Sequence, residues 1–153
     1  MAATREARAV WTGDLMNGSG EVTAASSGRF EQLPISWAAR TEQAGGKTSP
    51  EELLAAAHAS CYAMALSAGL AKQRTPAQRL EVSATVTFDK VGDAWTVKAS
   101  ELAVTGTVPD ADEESFQRAA EDAKESCPIS RALKGNVALS VRPMLVQRSE
   151  ATM

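Results

Sequence analysis

The sequence has few histidine and cysteine residues and no run of positive charge. It contains one histidine, His58, and two cysteines, Cys61 and Cys127, which stand 66 positions apart. This spacing excludes a C-x-x-C redox pair and a paired-knuckle zinc site, and one histidine leaves a structural metal site short of ligands. The 16 Lys and Arg residues are outnumbered by 19 Asp and Glu residues, and they form no patch to neutralise a row of phosphates. We therefore expect no metal or other cofactor and no nucleic-acid partner.

The N-terminal residues show no apolar signal segment, and neither a linker nor an internal repeat divides the chain. Residues 1–11 carry charges at Arg5, Glu6 and Arg8, so we expect a cytoplasmic protein. A chain of 153 residues with 44% hydrophobic residues has the size and composition of one ordinary domain, and we expect a single domain over residues 1–153. Two cysteines in a cytosolic chain seldom form a structural disulfide, which favours a chemical role for them.

The apolar pattern predicts an α+β fold. Strands are expected near 6–13, 20–27, 34–40, 82–88, 95–104 and 136–146. One helix is expected over 50–71, and a second is opened by Asp110 and Asp112 and runs to a break at Cys127, with a further helical piece ending near Gly135. The break is expected because Pro128 disfavours helical geometry at the preceding residue. A change of phase along 95–104 predicts a bulge near Ser100. Antiparallel sheets packed on a long central helix satisfy this order of elements.

The central helix has a clear start and an apolar surface nearly all round. Ser49 is the expected cap, Pro50 suits the first helical position, and Glu52 completes a capping box. Its expected stripe consists of Leu53, Leu54, Ala57, Cys61, Met64, Ala65 and Ala68. Such a helix is expected to be buried. Residues 53–71 also have the length of a membrane span, but Ala, Ser and Gly give them little drive into lipid, and we expect no membrane partner.

Cys61 is either a small core residue or a reactive thiol. Burial in apolar surroundings raises the pKa of a thiol, so a reactive Cys61 requires a nearby cation. Arg40, at the end of the third expected strand, is the best candidate. An arginine there stabilises a thiolate and the negative charge that develops on a peroxide oxygen as the O–O bond breaks.

Glu51 is the carboxylate expected to hold Arg40, because Glu52 is used in the capping box. The alternative is that both glutamates only provide favourable charge at a helix N-terminus. Glu51 and Cys61 stand ten positions apart on one helix, which corresponds to about 15 Å along its axis. Either Arg40 bridges this gap or a second chain supplies the Arg40–Glu51 pair across a two-fold interface.

His58 precedes Cys61 by three residues and shares its helical face, so a Cys-His hydrolase is an alternative. The sequence offers no third group to orient the histidine and no identifiable oxyanion hole. We therefore favour a packing or hydrogen-bonding role for His58.

Two segments resemble a known family. AARTExxxGxTSPEELLxAAHASCYxMALS over residues 38–67 and AKESCPISRALK over residues 123–134 resemble the OsmC family of osmotically inducible proteins, relatives of the organic hydroperoxide resistance (Ohr) proteins. The order of the expected strands agrees over nearly the whole chain. Arg40 matches the OsmC branch, whereas Ohr proteins place their arginine nearer the N-terminus, which leaves Arg5 and Arg8 as weaker alternatives.

The resemblance implies an intertwined homodimer with active sites at the subunit interface. It implies that Cys61 attacks a small-molecule hydroperoxide, Cys127 resolves the sulfenic acid to a disulfide, Arg40 activates the thiol and Glu51 positions Arg40. An external dithiol, for which a lipoyl-type dithiol is one candidate, then restores both thiols. A preference for organic peroxides would require an apolar pocket beside Cys61, which Leu53, Leu54 and Met64, with Phe30 or Trp37, are expected to line. A redox-sensing or small-molecule-binding protein with little turnover is the alternative.

Overall fold

The computed structural model of the protein describes residues 1–146. Its elements are β1 (Arg8–Thr12), β2 (Ser19–Thr23), β3 (Leu33–Ile35), α1 (Trp37–Thr41), α2 (Pro50–Lys72), β4 (Arg79–Val91), β5 (Ala94–Thr107), α3 (Glu113–Ser126), α4 (Pro128–Leu133) and β6 (Ala138–Leu145). They confirm the α+β class. The chain divides into two compact units, Met1–Leu53 and Leu54–Met153. The expectation of one domain over residues 1–153 stays a prediction.

The first unit is built on an antiparallel sheet in the order β1-β2-β3. The prediction that its third strand continues to residue 40 is wrong, because β3 ends at Ile35 and Ser36 caps helix α1. The Ser36 hydroxyl accepts a hydrogen bond from the Ala39 N–H at 3.1 Å, which satisfies an amide that has no partner within the helix. Trp37 and Ala39 therefore lie on a helix, and Arg40 lies in its last turn.

Helix α2 begins as predicted, but Glu52 has a different partner from the one expected. The Ser49 hydroxyl accepts a hydrogen bond from the Glu52 N–H at 3.1 Å, and Pro50 is the first helical residue. The Glu52 carboxylate accepts a hydrogen bond from the Thr48 hydroxyl at 2.7 Å, where the capping box predicted the Ser49 N–H. Glu51, the neighbouring acid, is buried.

The second unit contains a three-stranded sheet in the order β4-β5-β6. Strands β4 and β5 form a long antiparallel hairpin, whereas β6 pairs with β5 in parallel, from Ala99↔Ala138 to Gly106↔Leu145. The expectation of purely antiparallel sheets is thus wrong for β6, since the chain reaches β6 through the helical crossover of α3 and α4. The bulge predicted near Ser100 lies slightly earlier, where the register shifts between Thr87 and Phe88 opposite Lys98.

The core of the second unit forms where one face of α2 and one face of α3 cover this sheet. Its buried apolar residues are Tyr62, Leu66, Leu70, Leu102, Val104, Val108, Phe116, Ala119, Ala123, Cys127 and Leu145. Helix α3 presents the four residues predicted from its pattern, namely Phe116, Ala119, Ala120 and Ala123. Asp112 and Ser115 form a capping box at its start, so the start of this helix and its buried face are both confirmed.

The predicted stripe of α2 is not its buried face. Tyr62, Leu66 and Leu70 are fully buried, whereas Met64 is 72% exposed and Ala68 is also exposed. The expectation that the helix is buried nearly all round is therefore wrong within the described chain. Among residues 1–146, α2 is also the one helix long and apolar enough to span a membrane, with a mean hydropathy of 1.4.

Gly106 is required where β5 passes under α3. A Cβ atom on this residue would lie 2.6 Å from Cζ of Phe116 and 2.7 Å from its Cε1, so we expect Gly106→Ala to lower the free energy of unfolding by about 1–3 kcal/mol. Gly69→Ala is the matched control, because a Cβ there meets nothing within 4 Å and alanine favours a helix by up to about 1 kcal/mol. Urea unfolding measures both. Equal stability of the two variants would contradict this account of the β5–α3 contact.

Candidate active site

The two cysteines lie in contact in the second unit. Cys61 is half-buried on α2, and Cys127 is fully buried between α3 and α4. The two thiols hydrogen-bond to one another. Cys127 closes α3 by donating its N–H to the Ala123 carbonyl at 2.9 Å, and its own carbonyl accepts the Arg131 N–H at 2.9 Å. The break predicted from Pro128 is therefore confirmed, and it places the second thiol against the first.

The surroundings of Cys61 within the chain favour the neutral thiol. Burial raises the pKa of Cys61, the Ile129 backbone N–H lowers it by donating a hydrogen bond, and Cys127 raises it through both a hydrogen bond and its charge. Among the described residues, no lysine or arginine contributes to this shift. A positive charge placed near the sulfur would lower the pKa of Cys61 and favour the thiolate.

Arg40 and Glu51 form a two-pronged ion pair in the first unit. Arg40 Nε donates to the two carboxylate oxygens of Glu51 at 2.9 and 3.1 Å, and Nη2 donates to Oε2 at 2.8 Å. The Glu51 side chain is only 9% exposed and that of Arg40 is 30% exposed. This geometry fixes the plane of the guanidinium group. The expected pairing is present, while the catalytic roles of the two residues stay predictions.

The alternative arginines have other partners near the N-terminus. Arg5 donates to the Thr4 carbonyl, and Arg8 pairs with Glu6 at 3.1 Å with both side chains largely exposed. Neither forms a buried, two-pronged pair of the kind that holds Arg40. The geometry thus favours Arg40 over Arg5 and Arg8 as the candidate for the activating arginine.

An apolar cavity of about 230 Å³ lies beside the Arg40 guanidinium. Its walls are Trp11, Leu15, Ile35, Ser36, Trp37, Arg40 and Pro50. The guanidinium carbon lies 5.8 Å from the centre of the Trp37 ring, within the range of a cation–π contact. Of the residues expected to line a pocket beside Cys61, Trp37 lines this cavity instead, and Met64 lines a separate, open pocket between α2 and β4.

His58 is a buried hydrogen-bonding residue, as predicted, and its two partners were missed. Its Nδ1 lies 2.6 Å from the Ser100 hydroxyl and its Nε2 lies 2.8 Å from the Ser130 hydroxyl. Burial lowers the pKa of His58, which keeps the ring neutral.

Metal ligands are not gathered anywhere in the described part of the chain. Within residues 1–146, no group of three or more His, Cys, Asp or Glu side chains is placed to hold a metal ion. The two cysteines and His58 lie close together, but both nitrogens of the histidine are engaged with hydroxyl groups. The absence of a cofactor stays a prediction.

Comparison with known proteins shows the family to which the chain belongs. The sequence profile of a family described as OsmC-like protein matches residues 43–142, a span that includes Glu51, Cys61 and Cys127. A curated relative from Escherichia coli, named peroxiredoxin OsmC, is 34% identical over 139 residues, covering 91% of this chain and 96% of the relative. The chain belongs to the OsmC-like family. The family predicted from the two motifs is thereby confirmed.

Two other members show how far the likeness extends. An organic hydroperoxide resistance protein-like 1 from Staphylococcus epidermidis is 32% identical over 108 residues, which cover 69% of this chain and 76% of that protein. The crystal structure of the organic hydroperoxide resistance protein OhrB of Bacillus subtilis is 26% identical, with a TM-score of 0.70 and coverage of 90% of this chain and 97% of OhrB. The OsmC-like fold is therefore shared with structures of the Ohr branch.

The buried His58 makes stability depend on pH in a defined direction. Because its folded pKa lies below the ordinary value of 6.5, the unfolded chain takes up a proton that the folded chain does not, as the pH falls from 6.5. The free energy of unfolding is then lost toward acid, with a contribution of at most about 1.4 kcal/mol per pH unit.

His58→Gln cannot take up this proton. Chemical denaturation of both proteins from about pH 7.5 to about pH 5 is expected to give a smaller loss of stability in the variant. Each series is compared with its own value at the higher pH, so that any general destabilisation by the substitution cancels. Parallel curves would show that His58 does not titrate differently in the two states.

Proposed function

We propose that the protein is a thiol peroxidase that reduces organic hydroperoxides, and hydrogen peroxide more weakly. The observation that carries this function is the contact between Cys61 and Cys127, two free thiols brought together from distant parts of the sequence. Relatives named peroxiredoxin OsmC and organic hydroperoxide resistance protein-like support peroxide as the substrate class.

In the first step, the Cys61 thiolate attacks the terminal oxygen of the hydroperoxide. A sulfur–oxygen bond forms, the O–O bond breaks, and the departing alkoxide takes up a proton to leave as the alcohol. Cys61 is oxidised to a sulfenic acid and the peroxide is reduced. The step needs a thiolate and a cation near the departing oxygen, since negative charge develops there in the transition state.

We propose that the cation is Arg40 of a second subunit in a homodimer. The surroundings of Cys61 within one chain raise its pKa, so the resting thiol needs external activation. The spacing of Glu51 and Cys61 along α2 corresponds to about 15 Å, so Glu51 does not reach the thiol of its own chain. A two-fold interface supplies the pair from the partner and gives two equivalent sites.

The apolar cavity beside Arg40 is the proposed binding place of the organic part of the peroxide. Its aromatic and aliphatic walls include Trp11, Leu15 and Trp37. Burial of an alkyl or aryl group there contributes binding free energy in proportion to its apolar area, which hydrogen peroxide cannot provide. This supports a preference for organic hydroperoxides.

In the second step, the Cys127 thiol attacks the sulfur of the sulfenic acid. The disulfide forms and the hydroxyl group leaves as water, so no further oxidant is needed. A dithiol reductant then opens the bond through a mixed disulfide and leaves in its own cyclic disulfide form, which restores both protein thiols. A lipoyl-type dithiol meets this chemical requirement. No cofactor enters the cycle.

The assignment of the two cysteines is tested with single substitutions. Consumption of cumene hydroperoxide by reduced protein with a dithiol donor is expected to be abolished in Cys61→Ser, which has no attacking thiol. Cys127→Ser is expected to complete the first step and to accumulate the sulfenic acid, which dimedone traps for mass spectrometry. Hydrogen peroxide serves as the second substrate in every assay.

Three outcomes of this experiment can be distinguished. Loss of steady consumption in both variants, with trapped sulfenic acid only in Cys127→Ser, supports the peroxidase cycle. Equal and negligible rates in all three proteins contradict it, and oxidation of Cys61 without turnover by a dithiol points to a redox sensor.

The origin of Arg40 and Glu51 from a second subunit predicts complementation between inactive chains. Glu51→Gln removes the charge that holds Arg40, and loss of hydrogen bonds to a charged group costs about 1.5–3 kcal/mol, or roughly 10- to 100-fold in kcat/KM. Glu52→Gln is the matched control, because Glu52 is exposed and binds the Thr48 hydroxyl. The control is expected to keep the wild-type rate.

Differently tagged Glu51→Gln and Cys61→Ser chains, expressed together and purified as the mixed species, are then assayed. A mixed dimer contains one site with an intact Cys61 and an intact Arg40–Glu51 pair, so it is expected to show about half the wild-type rate. Activity no higher than that of the Glu51→Gln protein would place the pair and the thiol in one chain.

A further inference from the structure

His58 and its two serine partners form the most completely buried polar group in the second unit. His58 is 0% exposed, Ser100 is 0% exposed and Ser130 is 1% exposed. Both ring nitrogens are bonded to hydroxyl groups, and in either tautomer one nitrogen donates and the other accepts. A buried polar chain that is fully satisfied fixes the relative positions of the elements that carry it. The proposed catalytic cycle uses none of these three residues.

The hydrogen bonds among Ser100, His58 and Ser130 link three elements that surround the thiols. Ser100 lies in β5, the central strand of its sheet, where it pairs with Val86 on β4 and Leu139 on β6. His58 lies on α2, one helical turn before Cys61. Ser130 lies on α4, one turn after Cys127. The hydroxyl–imidazole chain Ser100–His58–Ser130 therefore runs from the most supported strand of the sheet, through the helix of the first cysteine, to the segment of the second.

Three contacts join the start of α4 to α2 near the active site. Cys127 hydrogen-bonds to Cys61, the Ile129 N–H donates to the Cys61 sulfur, and Ser130 binds His58 at 2.8 Å. Helix α4 has six residues and no side-chain hydrogen bond at its N-cap. A helix this short depends on tertiary contacts for its position.

Only one of these contacts is independent of the redox state of Cys61. The bonds from Cys127 and Ile129 both involve the sulfur that becomes a sulfenic acid and then part of a disulfide. The bond between His58 and Ser130 involves neither sulfur. It is thus the contact that stays the same while the chemistry at Cys61 changes.

We propose that the Ser100–His58–Ser130 chain is a positioning unit that holds Cys127 within bonding distance of Cys61 before and after peroxide attack. Its role belongs to the disulfide step of the proposed cycle and leaves the attack on peroxide to Cys61. His58 and Ser130 are positioning residues, since the ring nitrogens of His58 bind the Ser100 and Ser130 hydroxyls and have no chemical step in the cycle. Without the Ser100–His58–Ser130 hydrogen bonds, the reduced protein gains conformations in which the two thiols are apart, and the disulfide forms less readily.

The test measures how readily the two thiols form a disulfide, without any peroxide. Wild type, Ser130→Ala and Ser126→Ala are equilibrated in mixtures of reduced and oxidised glutathione, and the fraction of the Cys61–Cys127 disulfide gives the effective concentration of one thiol at the other. In Ser130→Ala this concentration is expected to fall by about tenfold or more. Ser126→Ala is the control, because Ser126 is exposed at the end of α3, and it is expected to match the wild type.

A second readout separates positioning from general loss of stability. After one equivalent of cumene hydroperoxide, Ser130→Ala is expected to form sulfenic acid at the wild-type rate but to convert it to the disulfide about tenfold more slowly, with more sulfinic acid at higher peroxide. His58→Gln is expected to behave in the same way if it folds, as judged by circular dichroism. Ser130→Ala, which removes a single oxygen, is the decisive variant.

The outcomes distinguish this proposal from the proposed function. An effective concentration in Ser130→Ala within about twofold of that in Ser126→Ala overturns the positioning role, whatever the peroxidase activity. If the effective concentration falls tenfold in Ser130→Ala but the wild type does not consume peroxide, the positioning role is supported and the peroxidase cycle is overturned.

Discussion

The packing of one narrow face of α2 against β5 and α3 is the contact on which the active site of the second unit depends. Tyr62, Leu66 and Leu70 are fully buried along this face, and Tyr62 also donates its hydroxyl to the Ala120 carbonyl at 2.9 Å. Because Cys61 immediately precedes Tyr62, the burial of the tyrosine sets the rotation of the helix. The thiol is consequently held at the margin of the core, half-buried and facing the start of α4.

The opposite face of α2 is the surface that the proposed homodimer would cover. Met64 is largely exposed, and small residues with little charge surround it. A helix of this composition has few polar groups that favour contact with water. The pKa of Cys61 is raised, and among the described residues no lysine or arginine contributes to that shift. In the proposed homodimer, a second copy of the chain would cover this face of the helix and would supply Arg40 to Cys61.

The sequence predicted local features well and contacts between distant residues poorly. Pro128 predicted the break at Cys127 because the restriction acts on the neighbouring residue. The Ser36 cap was missed because the alternating apolar residues that follow it favoured a strand. In the structure, the Ser36 hydroxyl accepts a hydrogen bond from the Ala39 N–H and stabilises the start of a helix instead. The buried face of α2 was unpredictable because alanine and leucine surround the whole helix. The partners of His58 lie 42 and 72 positions away, beyond any spacing rule.

The contact between the two thiols also links redox chemistry to chain topology. A bond between Cys61 and Cys127 would close a loop of 66 positions that contains the whole β4–β5 hairpin and α3. Closing such a loop removes chain entropy from the unfolded state worth about 4 kcal/mol. Folding and disulfide formation are thermodynamically linked, so folding would favour the disulfide by the same free energy. The reduction potential would therefore be roughly 90 mV lower in the folded chain than in the unfolded chain. The oxidised protein is then the more resistant to heat and proteolysis, and its reductant must work against part of the folding free energy.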